Sequence, residues 1–227
     1  MARRVPFWVP VAAALGVLLL VRKAFAWSGT GKPKIPDTPD NREYLTRILL
    51  VEAGDTLDKD EWAAIAYAAI NRAERWYAAA DKKIREGRAL SPWAQQHYPD
   101  RGVKAVVDSA GWFGNDEPRA RLNSAEILRH NLAGRVRSFV DDIFDGKVSN
   151  PIGPRRLFVH PGGMPRCTVE GETSTSRGET RVCRQTDFGL RWLPDWIIAT
   201  SEGGRAENDP IVVERALFAK YSTRRVR

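Results

Sequence analysis

From Val5 to Val21 the chain reads VPFWVPVAAALGVLLLV, seventeen residues without a charge, with Arg3-Arg4 before it and Arg22-Lys23 after it. A run that is apolar on every side must be buried all round, in lipid or deep in a protein interior. At about 1.5 Å per residue it makes a helix of roughly 26 Å, the short limit of a bilayer span, which the stems of Arg4 and Arg22 complete by snorkelling. The segment 1–26 is therefore expected to be an N-terminal transmembrane helix. Cleavage after Ala24-Phe25-Ala26 is the alternative, since small-x-small is the pattern of a signal-peptide cut, but Arg22 and Lys23 interrupt the approach to it. An anchor leaves the body in the periplasm or outside the cell, and cleavage leaves it secreted. The flanking charges are two against two and set no orientation by themselves.

The formal charge of +8 is concentrated at this end: residues 1–36 hold six Lys and Arg and no Asp or Glu, which leaves about +2 on residues 37–227. A nucleic-acid binder needs clustered cations to displace phosphate counterions. Here only the tail Arg224-Arg225-Val226-Arg227 is purely basic, so no nucleic-acid partner is expected. With 43% hydrophobic residues the remaining length is enough for one core and too short for two.

Residues 27–40, WSGTGKPKIPDTPD, have Gly, Ser and prolines and read as a linker, with a single domain over 41–227. Asp40 with Glu43 is a D-x-x-E cap signal for a helix through Ala53, with Gly54 ending it. Asp58 with Glu61 caps a second, Ala-rich helix to about Trp76. Asn123 with Glu126 predicts a long helix over Ser124–Asp145, stopped by Gly146. Asp209-Pro210 predicts a last helix carrying Val212, Val213, Ala216, Leu217 and Phe218. Short strands are expected at Leu157–His160 and Trp196–Thr200, and 87–122 is left as loose apolar pieces. The fold class is thus mostly α, an α+β body with a small β or irregular lobe, and a cleft between the two parts is where a substrate would bind.

Cys167 and Cys183 bracket the polar loop TVEGETSTSRGETRV. A disulfide there would tie an otherwise floppy segment, stabilising it by about 3 kcal/mol in the chain-entropy model, and requires an oxidising compartment. No Cys or His pairs stand at metal-ligand spacing, so no metal is expected.

Glu52 is the residue to which chemistry points first, a carboxylate in the apolar helix end ILLVEAG. Partial desolvation there raises a carboxyl pKa toward neutrality, which suits a general acid. The plain alternative is a helix Glu paired with Arg47 or Arg72. The stretch LTRILLVEAGDTLDKDEWAAIAYAAINR resembles the SleB-type family of cell-wall hydrolases, in which a helix ending in Glu-Ala leads through a Gly-containing turn to an Ala-rich helix ending in Asn-Arg. Glu52-Ala53, Gly54 and Asn71-Arg72 carry the match. IFDGKVSNPIGPRRLFVHP resembles the family's later segment, a helix end and a Pro/Gly turn leading to an aromatic-rich strand. Together the two segments cover roughly residues 44–76 and 139–164. The chain departs from the pattern at Ala53-Gly54-Asp55, where the family has a residue between Ala and Gly and a Glu after the Gly. This leaves the role of a second turn carboxylate open.

The resemblance implies a lysozyme-like fold that cleaves the glycan strand of peptidoglycan, by lytic transglycosylation with Glu52 as the one general acid and base, and with no cofactor. Asp55, Asp58 and Glu61 are the available second carboxylates for an ordinary glycosidase, although Asp58 and Glu61 already serve as a capping box. Trp112, Phe113, Phe158 and Tyr98 are candidates to pack on sugar rings, and His160 is a candidate polar contact. Each has a core or structural role as its alternative. Asn71 and Arg72 are candidates to brace the Glu52 helix, and nothing gathers around His97 or His130. A protein of another class, a non-catalytic envelope or virion protein that grips peptidoglycan or a partner with the same fold, is the competing reading.

Overall fold

The computed structural model describes residues 32–53, 56–109, 116–159, 164–176, 179–186, 188–197, 211–213 and 216–219. Among them six α-helices precede six short strands: α1 Pro39–Glu52, α2 Lys59–Arg85, α3 Pro92–His97, α4 Lys104–Asp108, α5 Asp116–Asn123 and α6 Ala133–Phe144, then β1 Leu157–Val159, β2 Thr173–Ser176, β3 Glu179–Thr186, β4 Gly189–Pro194, β5 Ile211–Val213 and β6 Ala216–Ala219. The strands form two antiparallel sheets, ordered β1-β6-β5 and β2-β3-β4. The chain is therefore α+β. The segment expected to span the membrane lies outside the described residues, and among those residues no helix is long and apolar enough to cross one.

Helix α1 starts earlier than its Asp40-Glu43 signal suggests. Thr38 is the cap, its Oγ1 accepting from the Asn41 N–H at 3.2 Å, because Pro39 has no N–H to satisfy and its fixed φ suits the first helical position. Asp40 then lies in the first turn, where the helix dipole favours a negative charge. Leu45, Ile48, Leu49 and Leu50 form the buried stripe. Asn41 is buried at the same end and satisfied on both sides, its Nδ2 donating to Pro36 O and its Oδ1 accepting from the Val103 N–H. Gly102 has to be glycine for this: a Cβ there would stand 2.8 Å from Asn41 Oδ1. Residues read as the end of a linker pack on the body, since Ile35 is only 4% exposed and belongs to the main core. The Lys34 N–H also donates to Glu74 Oε1.

Helix α2 opens at Asp58 as expected, with Oδ1 accepting from the N–H groups of Asp60 and Glu61. It runs past Trp76 to Arg85, because the apolar face is continued by Tyr77. Its alanines 63, 64, 66, 68, 69 and 73 are all buried, and α1, α4 and the β1 and β5 strands approach it. The main core is made by α1, α2, α4 and α6, with Trp62 edge-on to Phe139 at 5.4 Å between ring centroids.

Three sequence expectations are corrected. The long helix Ser124–Asp145 is two pieces: Ser124 caps a single 3-10 turn, Ala125–Arg129, and α6 begins only at Ala133. The break is at His130, whose backbone is extended and whose Nδ1 accepts from the Leu132 N–H. Gly146 does stop the second piece, at φ +78°. The helix expected after Asp209-Pro210 is instead the β5–β6 hairpin, in which Val213 pairs with Ala216 and β6 joins β1 through Phe158 and Phe218. Short runs such as IVV and ALFA carry no period long enough to separate helix from strand, and the free edge of β1 decides. The strand expected at Trp196–Thr200 is a 3-10 turn over Asp195–Ile197, with 198–200 outside the described residues. The loose stretch 87–122 contains α3, α4 and α5.

The disulfide expected from the sequence is formed, Cys167 to Cys183 with Cα atoms 5.9 Å apart. Its loop is not structureless, however. It contains the β2–β3 pairing, and the extension of that ladder closes on the Cys183 backbone, which accepts from Gly171 N and donates to Glu172 O. A second, small core joins this lobe to β1, formed by Val159 of β1, Leu193 of β4 and Ile197, with Met164 and Val182 against it.

Candidate active site

Glu52 is the last residue of α1, two residues beyond the buried Leu49–Leu50 pair and next to buried Ala53. It is itself half-buried. The helix ends there with Ala53 donating to Leu49 O, and the following turn is pinned by Thr56. The Thr56 N–H donates to Ala53 O, its Oγ1 accepts from the Asp58 N–H, and its carbonyl accepts from Trp62 Nε1 at 3.1 Å. One threonine thus sets the path from the end of α1 to the cap of α2, a role that nothing in the sequence signalled. Gly54 and Asp55, inside that turn, lie outside the described residues.

Arg47 is not the partner of Glu52. Its guanidinium is committed to Glu43 at 2.8 Å and to the carbonyls of Leu122 and Ser124, tying α1 to the end of α5. Asp58 is a helix cap, as its plain reading had it. Glu61 is 1% exposed, inside the main core region of α2.

Asn71 braces a different pair of elements from the one expected. Its Nδ2 donates to Gly153 O and Arg155 O, and its Oδ1 accepts from Asn150 Nδ2, so it fastens α2 to the turn that leads into β1. Asn150 shapes the same turn by accepting from the Ile152 N–H, and Tyr67 adds a bond from its hydroxyl to Val148 O at 2.7 Å. The two segments that carry the family resemblance are in this way held in one packed unit.

Arg72 donates to Ser109 Oγ at 3.2 Å and lies over the Trp76 ring, 5.2 Å from its centroid. Burial, helped by the charge of Arg156, pushes its pKa down to about 10. Beyond Trp76 the row continues with Trp93, edge-on at 5.0 Å and 36% exposed, and then with the His97 ring at 4.8 Å. His97, with Nε2 3.8 Å from Asp108 Oδ2, is buried. Sequence reasoning passed over this cluster, although its spacing was readable: Arg72 and Trp76 stand four apart on α2, and Trp93 and His97 four apart on α3.

Of the residues proposed to touch sugar, Phe158 packs against the main core from β1. Tyr98 also packs on the core, and its hydroxyl donates to Asp81 Oδ1 in a network with Arg101. Trp112, Phe113 and His160 lie outside the described residues. Among those residues no three His, Cys, Asp or Glu side chains gather to hold a metal ion.

Compared with models of known protein families, with curated proteins and with solved structures, the chain matches none.

Proposed function

We propose that this protein cleaves the glycan strand of peptidoglycan by lytic transglycosylation from a lysozyme-like domain, with Glu52 as the sole general acid and base. The observation that carries the reading is the position of Glu52: a half-buried carboxylate at the end of a helix whose last turns bury Ile48, Leu49 and Leu50, in the same packed unit as the second segment of the family resemblance. A protonated Glu52 gives its proton to the glycosidic oxygen as the C1–O bond breaks. The resulting carboxylate then takes the proton of the sugar's 6-hydroxyl as that oxygen bonds to C1, leaving a 1,6-anhydro end. Atoms and charge balance without an activated water, so the second carboxylate of ordinary glycosidases is not required. The Cys167–Cys183 disulfide supports action outside the cytoplasm, with residues 5–21 as the membrane anchor.

Digestion of purified peptidoglycan by the full chain, wild type beside Glu52→Gln, tests this by mass spectrometry of the released fragments. Anhydro-ended muropeptides from wild type and at least about a hundredfold fewer from the variant are expected. Reducing-end fragments would replace transglycosylation with hydrolysis. A folded wild-type protein that releases nothing would overturn the enzyme reading.

A further inference from the structure

Helix α2 outruns the body it packs on. Its core-facing stripe passes through Ala73 and Tyr77, both buried, to half-buried Ala80 and then to Ile84, which is 45% exposed. Positions spaced by three and four residues lie on one side of a helix, so Ile84 carries the apolar face of α2 out into solvent. Lys83 and Arg85, both exposed, stand about 100° to either side of it. Gly87, at φ +67°, stops the helix, its N–H donating to Ile84 O and that of Arg88 to Lys83 O, and the chain turns back to α3. There exposed Trp93 lies edge-on to Trp76.

The same end of the molecule holds the positive excess of the body. Residues 75–101 contain six Lys and Arg against three Asp and Glu, while 37–227 as a whole carries only about +2. Exposed Trp and Ile rimmed by cations suit the headgroup region of an anionic bilayer: the apolar groups leave water, and the Lys and Arg stems lie along them with their charges at the phosphates. The N-terminal chain joins the body at this end too, since the Lys34 N–H is bonded to Glu74, two residues before Trp76 on α2. Lys34 is thirteen residues from Val21, a reach of at most about 45 Å. A tether of that length keeps this end close to the bilayer without fixing which face meets it, and it raises the effective concentration of a weakly attractive face.

We propose that the end of α2 and the start of α3, centred on Ile84, Lys83, Arg85 and Trp93, form a docking face for the surface of an anionic bilayer. The proposal rests on the reading of residues 5–21 as a membrane anchor and not on Glu52, so it stands whether or not a glycan is cleaved. Asn41, at the start of α1, bonds Val103 beside the Gly102 carbonyl that holds Tyr77, whereas the end of α1 turns into the Asp58 cap of α2. Glu52 is thus at the end of the helical pair away from the docking face.

The test uses the full chain reconstituted in vesicles, with an environment-sensitive fluorophore on A89C, an exposed position between Ile84 and Trp93. The two native cysteines are joined to each other, so the new thiol alone is labelled. The vesicles carry lipids brominated in the acyl chains, phosphatidylcholine alone or mixed equally with phosphatidylglycerol. Quenching at A89C is expected in the mixed vesicles and not in the neutral ones, and a label on T175C, on the exposed strand β2, is expected to stay unquenched in both. Each cation near an anionic surface strengthens attachment about fivefold, so K83Q/R85Q is expected to lower the docked-to-free ratio roughly thirtyfold, with circular dichroism unchanged. Flotation with neutral vesicles reads the anchor separately: a chain that does not float with them refutes the anchor, while A89C quenching in mixed vesicles still reports the face. No anionic-lipid-dependent quenching at A89C, equal quenching at T175C, or quenching undiminished in K83Q/R85Q would overturn the proposal. So would self-association of the chain in detergent that I84Q relieves, since the face would then belong to a second copy.

Discussion

The helical body and the disulfide lobe are held together in different ways. In the body, α1, α2, α4 and α6 contribute a continuous set of buried aliphatic and aromatic side chains, and the buried polar groups Asn41 and Tyr77 find backbone partners. The β2-β3-β4 lobe shares a cluster of three buried hydrophobic residues, Leu193 of β4 with Val159 of β1 and Ile197 of the following turn, and has an outer strand, β2, of Thr and Ser, and a covalent tie. A region that buries little apolar surface has little to offset its chain entropy, so a crosslink carries more of its stability. The proposed acid-base site lies on the body side, where buried Leu49 and Leu50 lead into Glu52 at the end of α1.

The comparison can be broken from the body side first. Leu45→Ala, at a fully buried position of α1, is expected to cost about 2–5 kcal/mol in urea unfolding, because the helices around it relax only partly into the cavity. A cost below about 1 kcal/mol would mean that the body is as loosely supported as the lobe.

Reduction of Cys167–Cys183, or Cys183→Ser, is expected to cost about 3 kcal/mol and to do so locally. Hydrogen exchange should speed up in β3 and β4 while α1 and α2 keep their protection. Equal loss in both regions would show that the lobe is not a separate unit of stability.

Asn71→Ala removes three hydrogen bonds at the junction of α2 with the turn before β1, for an expected loss of about 1–3 kcal/mol. If the turn is what carries β1 onto the body, exchange of β1 and β6 should rise more than exchange of α2 itself.

An effect absent at neutral pH lies in alkali. Burial holds the Tyr77 pKa up at about 12 against an ordinary 10.0, while its hydroxyl donates to Gly102 O at 2.9 Å. The unfolded chain releases this proton near pH 10 and the folded one near 12, so stability is intact below the first value and falls as pH rises between them. Tyr77→Phe should lack that fall, read as a flatter dependence of the urea midpoint on pH over this window. An unchanged slope would mean that the hydroxyl is not shielded from water.

How much was legible follows from the same contrast. The periodic apolar faces of α1 and α2 and the Asp58 cap of α2 can be read directly, and so can Gly146, Leu157–Val159 and the cysteine pair. Each depends on neighbours within a few residues, or on a residue type with one common use. The start of α1 at Thr38 was misread because Asp40 and Glu43 imitate a cap one turn further in. Glu52 draws attention in the sequence by its apolar setting, whereas Thr56, which pins the turn after it, belongs to no sequence pattern.

The helical pair, the Asp58 cap and the oxidisable crosslink are therefore legible in the chain alone, since local hydrogen bonding and a 3.6-residue period specify the helices without reference to distant segments. Tertiary structure alone decided that IVV and ALFA are strands, that His130 interrupts a long helix, and that Ile35 is core. Each of those depends on which distant backbone offers a free edge or an open pocket. Strand register in particular is a relation between segments, and no single segment contains it.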